Sequence, residues 1–378
     1  KTMCFRFLAG LFLGSYADQA RNAVFKQFFR TVSDFPAKTY DFFAATAFRN
    51  AANDFSANAL RVRAPLSRNY DIGISCRFVK PHGVENGVRA RSKFAAEEKH
   101  YSRAESARLT SKIAFDPAHP FVEHFKFIKQ FEDDTAIARQ TIPAPAQLYA
   151  ELFRPENIAS VHEFYGDTQK DYDELADDNA KAFHGLIMAL YEAGCRNVQL
   201  DDCTWGMFCD PNFNQHYTAD EFAAMQEQYA AMNNAAIEDL PEDLVITTHD
   251  CRGNYHSTWA SAGGYATVSD VLFGKENVAA YYLEFDDDRS GDFEPLAKVS
   301  GDKKVVLGLI TSKKPELENP EVIKARIAEA AQYVPLDRLC LSTQCGFAST
   351  EEGNKLTEEQ QWAKIALVQS VAKDVWGE

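Results

Sequence analysis

Four residues with metal-binding side chains lie at the carboxyl ends of three predicted strands: His249, Cys251, Glu284 and Cys345. Imidazole nitrogen, thiolate sulfur and carboxylate oxygen are all ligands of Zn²⁺. Each residue alone has an ordinary interpretation. His249 would more often be a hydrogen-bonded structural histidine, and Glu284 opens an acidic run typical of a solvated loop. Their coincidence at three strand ends predicts a zinc site.

The charge of this ligand set indicates which reaction it suits. Two thiolates and one carboxylate bring three negative charges to Zn²⁺ and leave the site at about −1. Such a site is a poor Lewis acid for making hydroxide, unlike the neutral-histidine sites of hydrolases. It is suited to holding an added thiol as an electron-rich thiolate. The predicted reaction class is therefore alkyl transfer to sulfur.

Strands and helices alternate along most of the chain and would position these side chains. Strands are predicted at 136–142, 197–201, 243–248, 279–283, 303–310 and 338–342, and helices at 170–193, 219–237, 320–333 and 357–375. This alternation predicts an α/β fold with a parallel sheet. No dinucleotide-binding or Walker motif follows any strand. Because a closed barrel brings the carboxyl ends of its strands to one mouth, the fold class predicted is a (β/α)8 TIM-type barrel.

The beginning of the chain differs in composition from the rest. Residues 1–60 contain eleven of the 28 phenylalanines, and residues 1–84 contain no glutamate. We therefore divide the chain into an atypical Phe-rich region of uncertain structure, residues 1–70, and a catalytic barrel, residues 71–378. Whether part of 1–70 supplies first strands to the barrel is left open by the sequence.

Composition excludes several classes of partner. A net charge of −15 argues against binding nucleic acid or an anionic membrane, since both need a clustered positive surface. No run of about 18 apolar residues could span a bilayer. The opening residues 3–13 resemble a short signal-peptide core, but a charge interrupts them, and a cytoplasmic location is expected. In a reducing cytosol the eight cysteines are expected to be buried small side chains, metal ligands or reactive thiols rather than a disulfide framework.

Several motifs together resemble the cobalamin-independent methionine synthase family in its short form with one catalytic barrel. They are Arg139–Pro145, Gln199–Asp202, His249–Gly253, Glu284–Asp292, Ser300–Gly308, Cys345–Gly346 and the tail Leu356–Trp376. They cover roughly residues 105–378 and follow the order of the family.

The resemblance implies a reaction and a role for each motif. Zinc, held by the four residues named above, would activate homocysteine, whose thiolate takes the methyl group from N5 of a methylated folate to give methionine. Asp201 matches an acidic residue of the family that is expected to bind the homocysteine amine or to support the pterin. Asp202 points the other way if the strand alternates, and it is the weaker substrate-binding candidate.

Two departures from the family pattern concern the methyl donor. Thr311 stands where long members of the family have a histidine thought to relay a proton to the folate. The tryptophan expected to stack on the pterin is absent, and Tyr149–Glu151 occupy that stretch. A corrinoid or another methyl carrier therefore stays open as the donor, as does a thiol other than homocysteine.

Three further residues are candidates for binding substrate. Trp205 follows Asp201 closely and is predicted either to cover a bound ring or to cap the barrel core. Arg252 and Arg289 flank the ligand motifs and would either clamp a substrate carboxylate or form structural ion pairs. Two rival functions remain: a zinc hydrolase or lyase on the same barrel, and a zinc- or thiol-binding homologue without activity.

Overall fold

The computed structural model describes residues 7–9, 82–87, 106–133, 137–347 and 354–377. The region 1–70 of the sequence-based division lies outside the described residues except for one strand, Phe7–Ala9. The division itself stays a prediction. Among the described residues no helix is both long and apolar enough to cross a membrane.

Among the described residues, seven strands form one parallel sheet in which each strand pairs with the next one named below. They are β1 (Phe7–Ala9), β4 (Ile137–Pro143), β5 (Asn197–Asp202), β6 (Val245–Asp250), β7 (Ala280–Glu284), β8 (Lys304–Ile310) and β9 (Leu339–Thr343). Strands β2 (His82–Gly87) and β3 (Ser106–Ala114) form a separate antiparallel pair. The predicted α/β class with a parallel sheet is confirmed. From β4 to β9, strands that follow each other in the sequence are neighbours in the sheet, which is the arrangement of a (β/α) barrel.

Helices occupy most of the crossovers between the strands. They are α1 (Pro120–Lys129), α2 (Pro145–Leu152), α3 (Ile158–Phe164), α4 (Gln169–Glu192), α5 (Thr204–Cys209), α6 (Pro211–Asn214), α7 (Ala219–Ala236), α8 (Ser269–Lys275), α9 (Pro320–Ala330) and α10 (Glu358–Trp376). Of the helices in the described part of the chain, the three longest begin at a threonine whose hydroxyl caps the first turn: Thr168, Thr218 and Thr357. Four others begin with proline in the first turn, where its missing N–H is no loss.

Side chains alternate between two faces of the sheet. On β7, Tyr281 and Leu283 belong to the main core that packs against the helices. Tyr282 belongs instead to a small separate cluster with Val306 and Cys340, its register neighbours on β8 and β9. The first face is therefore the outer, helix-covered face, and the second is the inner face. Since the faces alternate residue by residue, the register decides which polar residues meet inside.

Gly308 lies on β8, between β7 and β9. It pairs with Glu284 on one side and with Ser342 on the other. A Cβ at this position would lie 2.6 Å from both the Gln344 Cα and the Leu283 carbonyl oxygen. Both are backbone atoms, so the strands themselves would have to move.

Gly308→Ala is therefore expected to lower the free energy of unfolding by about 1–3 kcal/mol through overpacking. Urea unfolding would measure the change. Gly274→Ala is the matched control, because a Cβ at this position in α8 meets nothing within 4 Å. A Gly308→Ala protein as stable as the Gly274→Ala protein would contradict this packing.

Candidate metal centre

The alternation of the strands brings three predicted site residues to the inner face. Asp201 on β5 pairs with His249 on β6, and both have the parity of the inner-face residue Tyr282. Glu284, two residues after Tyr282, shares its face. Asp202 therefore faces outwards, towards the helices. The strand ends thus sort adjacent carboxylates into two different environments.

The four predicted metal ligands come together at the carboxyl ends of the strands. One ligand atom from each of His249, Cys251, Glu284 and Cys345 lies within 4.8 Å of all the others, and all four residues are buried. The sulfurs of Cys251 and Cys345 are 4.0 Å apart. Two sulfurs bound tetrahedrally to one zinc at about 2.3 Å would be separated by about 3.8 Å. The donor types and the spacing both fit Zn²⁺.

Backbone groups orient the ligands. Nδ1 of His249 lies 3.3 Å from the carbonyl oxygen of Tyr282, which can only accept. A hydrogen bond from Nδ1–H to a carbonyl fixes the imidazole tautomer that carries its lone pair on Nε2, as in most zinc-binding histidines. The Gly253 N–H donates to the Cys251 sulfur at 3.4 Å, which favours the thiolate.

Glu284 is held by two arginines in different ways. One carboxylate oxygen accepts the backbone N–H of Arg252 at 2.9 Å, and the other accepts Nη2 of Arg289 at 2.8 Å. The Arg289 guanidinium also pairs with Asp286 at 2.8 Å and with Asp287. Three carboxylates thus share the Arg289 guanidinium. Of the two roles that the sequence left open for Arg289, these contacts match the structural ion pair and not the substrate clamp.

The field at the centre favours positive charge. Burial alone would lower the pKa of His249, but the hydrogen bond to Cys345 and the charges of Cys345, Asp201 and Glu284 raise it to about 10. The contact with Cys251 and burial hold the pKa of the Cys345 thiol well above its ordinary value. The surroundings therefore do not stabilise two thiolates by themselves, and a bound cation would supply the missing stabilisation.

A buried polar chain leads through the barrel interior to Asp201. Arg139 donates to the Gln199 side-chain oxygen at 2.6 Å and to the Tyr282 hydroxyl at 2.7 Å. The amide of Gln199 donates to Asp201 at 2.9 Å. Burial raises the pKa of Asp201, while His249 and Arg139 act in the opposite direction. The carboxylate is thus held beside the metal ligands from below.

Asp202 belongs to a second buried network behind the sheet. Its carboxylate accepts from Thr204 and from Asn233, and the Asn233 amide donates to Glu276 at 2.8 Å. The Trp205 indole N–H donates to the same Glu276 oxygen at 3.1 Å. Asp202, Trp205 and Glu276 are almost fully buried. Their position between sheet and helices supports a structural role and gives no support to substrate contact by Asp202 or Trp205.

Arg252 is likewise buried. Its guanidinium donates to the carbonyl oxygen of Gly263 and lies 4.4 Å from the centre of the Tyr265 ring. The Tyr265 hydroxyl donates to the backbone carbonyl oxygen of Glu284 at 3.4 Å and accepts the backbone N–H of Glu284 at 3.0 Å. The side chain of Arg252 therefore supports the strand end that carries Glu284. For Arg252 too, these contacts match the structural role that the sequence left open, and not a substrate clamp.

Lys313 and Asn254 were not found by reasoning from the sequence. The Lys313 ammonium, although buried, donates to the Gly253 carbonyl and to the Asn254 side chain, both at 3.1 Å. Asn254 in turn donates to the carbonyl oxygen of Gly346. These contacts join the loops that carry Cys251 and Cys345. The sequence signals were weak: Asn254 directly follows the His249–Gly253 motif, and Lys313 lies two residues after Thr311.

Comparison with known proteins places the chain in a family. A sequence profile described as "Cobalamin-independent synthase, Catalytic domain" matches residues 159–373, more than half of the chain. The chain belongs to the cobalamin-independent methionine synthase family. All four candidate ligands lie inside the matched region, and membership supports methyltransferase activity. The family resemblance predicted from the motifs is confirmed.

Two Bacillus subtilis proteins, both uncharacterized, are similar over most of their length. YxjG is 43% identical over 304 residues, which cover 79% of this chain and 75% of YxjG. YxjH is 44% identical over 278 residues, which cover 73% of this chain and 71% of YxjH.

Solved structures agree with the barrel. A Listeria monocytogenes protein proposed to be a vitamin-B12-independent methionine synthase is 39% identical, with a TM-score of 0.57 over 72% of this chain and 74% of that one. A B12-independent methionine synthase from a Shewanella species, in complex with selenomethionine, has a TM-score of 0.54 and 21% identity. The match covers 78% of this chain and 76% of the Shewanella chain. At that identity the second likeness concerns the fold alone, and the predicted TIM-type barrel is confirmed.

The network behind the sheet predicts a pH-dependent stability. Burial raises the pKa of Glu276 to about 8, whereas an unfolded chain gives glutamate about 4.3. The folded state binds the proton more tightly, so this stabilisation is complete below pH of about 4.3 and is lost as pH rises to about 8. Glu276→Gln keeps the acceptor and removes the ionisation.

The free energy of unfolding of Glu276→Gln, relative to the unsubstituted protein, should therefore rise by several kcal/mol across that window, at about 1.36 kcal/mol per pKa unit. Urea unfolding at a series of pH values would measure it. Glu238→Gln, at an exposed position, is the control for the lost charge. A constant difference between Glu276→Gln and the unsubstituted protein across the window would contradict the assignment.

Proposed function

We propose that this chain is a zinc-dependent methyltransferase that moves a methyl group from a methylated folate to the thiolate of homocysteine and so makes methionine. The single observation that carries the proposal is the buried cluster of one imidazole, two thiol sulfurs and one carboxylate within 4.8 Å. Membership in the cobalamin-independent methionine synthase family agrees with it.

The proposed zinc ligands are His249, Cys251, Glu284 and Cys345. Bound there, zinc would lower the pKa of the substrate thiol and hold it as a thiolate. With three anionic ligands the site carries about −1, which keeps electron density on sulfur and disfavours the hydroxide chemistry of hydrolases. The donor set thus supports alkyl transfer over the rival zinc hydrolase.

The surrounding side chains would keep this donor set in place during the reaction. Arg289 and the Arg252 backbone fix both oxygens of Glu284, so its carboxylate is not free to rotate. Lys313 and Asn254 join the loops that bear the two cysteines. Such outer contacts commonly change metal affinity by about 10- to 100-fold when removed.

Asp201 is the proposed partner of the substrate amine. Its carboxylate is on the inner face beside His249, and Gln199 holds it at 2.9 Å. An ammonium group bound there would bring the attached thiol to the metal ligands. In the transfer itself a sulfur–carbon bond forms and the carbon–N5 bond of the folate breaks, so N5 keeps the electron pair and must gain a proton.

Thr311 is not proposed as the source of that proton. Its backbone N–H donates to Glu318 at 2.9 Å, and its hydroxyl accepts the Lys313 backbone N–H at 3.2 Å. A hydroxyl in this position closes the turn after β8 and is too weak an acid to serve at neutral pH. Water at the mouth of the barrel is the proposed proton source.

Cys345→Ser is expected to lose at least about 10-fold in zinc affinity and to make no measurable methionine, because serine is a poor zinc ligand. Metal analysis after dialysis against a weak chelator and a methionine assay with homocysteine and 5-methyltetrahydrofolate would measure both. Cys340→Ser is the matched control: this thiol lies on β9 and packs with Tyr282 and Val306 outside the cluster. Full zinc content and full activity in Cys345→Ser would contradict the proposal.

A further inference from the structure

The loop that follows the ligands of β6, residues 253–260, closes on itself beside the centre. The N–H groups of Ala260 and Ser261 both donate to the carbonyl oxygen of Arg252, at 2.8 and 3.2 Å. Within the loop, Tyr255 and Thr258 form an antiparallel bridge. The ends of the loop are thus fixed next to Cys251, and its tip has a defined shape.

The tip adopts a conformation that its residues do not favour by themselves. His256 and Ser257, between the bridged residues, have φ of 44° and 62°, a turn that usually contains glycine or asparagine. Contacts with another segment stabilise it: Ser257 donates to the Asn354 side chain at 2.8 Å and accepts the Lys355 N–H at 3.0 Å. Such conformations persist where the surrounding structure imposes them, often at binding sites.

This loop presents Trp259 at the surface next to the metal centre. The Trp259 side chain is 40% exposed, although burying an indole would be favourable. The Arg289 guanidinium lies 5.0 Å from the centre of its ring. Since Nη2 of the same arginine is 2.8 Å from Glu284, a single side chain separates the indole from a proposed metal ligand.

Arg289 acts as a fixed support for this ring. Its charge is already matched by Glu284, Asp286 and Asp287. It is therefore not positioned to bind a substrate anion, and a cation over an aromatic ring holds the ring in one orientation. A rigid, partly exposed indole at the mouth of a catalytic barrel is suited to stacking on a planar ligand.

We propose that Trp259 is the surface on which the pteridine ring of the methylated folate stacks; this rests on the proposed function, which names that donor. Asp287, beside Arg289, has a side chain that is 41% exposed. A reduced pteridine carries an amino group and ring N–H groups along one edge, which suit acceptance by carboxylates. The same acidic edge disfavours the phosphate of a corrinoid nucleotide tail.

Trp259→Ala should weaken binding of 5-methyltetrahydrofolate by about 10- to 100-fold, the size expected from losing one stacked ring, and Trp259→Phe should keep most of the affinity. Equilibrium dialysis with the full chain, with and without zinc, would measure binding independently of turnover. Tyr333→Ala is the matched control, because Tyr333 is 38% exposed and lies before β9, at the opposite end of the barrel from the centre. Zinc content and the KM for homocysteine should be unchanged in all three variants.

Three results would overturn this assignment. One is donor affinity in Trp259→Ala within twofold of the unsubstituted protein. Another is loss of zinc together with loss of donor affinity, which would make Trp259 only a support for Arg289. The third is an unsubstituted protein that binds zinc and homocysteine but takes methylcobalamin or S-adenosylmethionine and no pteridine, which would also refute the folate donor of the proposed function. Absence of zinc from the unsubstituted protein would instead refute the proposed function, while the dialysis would still decide the role of Trp259.

Discussion

Two thiols, an imidazole and a carboxylate are buried together at the mouth of the barrel. Polar and ionisable groups like these differ from the apolar side chains of an ordinary packed core. Bringing the Glu284 carboxylate together with the deprotonated, thiolate forms of Cys251 and Cys345 costs electrostatic free energy that a cation at their centre would offset. Despite burial, the hydrogen bond to Cys345 and the nearby negative charges raise the pKa of His249, while the contact with Cys251 and burial raise the pKa of Cys345. Most of the polar contacts around the centre can be understood as ways of fixing this arrangement.

Those contacts divide by the face of the sheet from which they come. On the inner face, Arg139 and Gln199 support Asp201 along the barrel axis. On the outer face, Asn233 joins the carboxyl groups of Asp202 and Glu276 between sheet and helices. One residue of offset on β5 thus separates a carboxylate that lies beside His249 from one that lies in a buried network between sheet and helices. Above them, the loop 253–260 connects the centre to the surface.

The sequence was sufficient for six of the strands, for the four longest described helices and for the four residues that cluster at the strand ends, because periodicity and strand-end position depend on local patterns. The six predicted strands from 136 to 342 agree with the structure to within two residues at each end. The sequence could not predict which side chains contact each other across the sheet. The sequence left Arg252, Arg289 and Trp205 open between substrate and structure, and only their contacts with Gly263, Asp286 and Glu276 favour structure. The sequence did not identify Trp259 as a candidate, because its exposure and the arginine over its ring depend on how a long loop folds back.

Zinc-edge X-ray absorption on the purified protein, before and after addition of homocysteine, tests the central claim most directly. The account predicts about one zinc per chain with two sulfur ligands and two lighter ones, and a third sulfur when homocysteine is added. Zinc with fewer than two sulfur ligands, or a sulfur count that homocysteine leaves unchanged, would contradict thiol activation at His249, Cys251, Glu284 and Cys345.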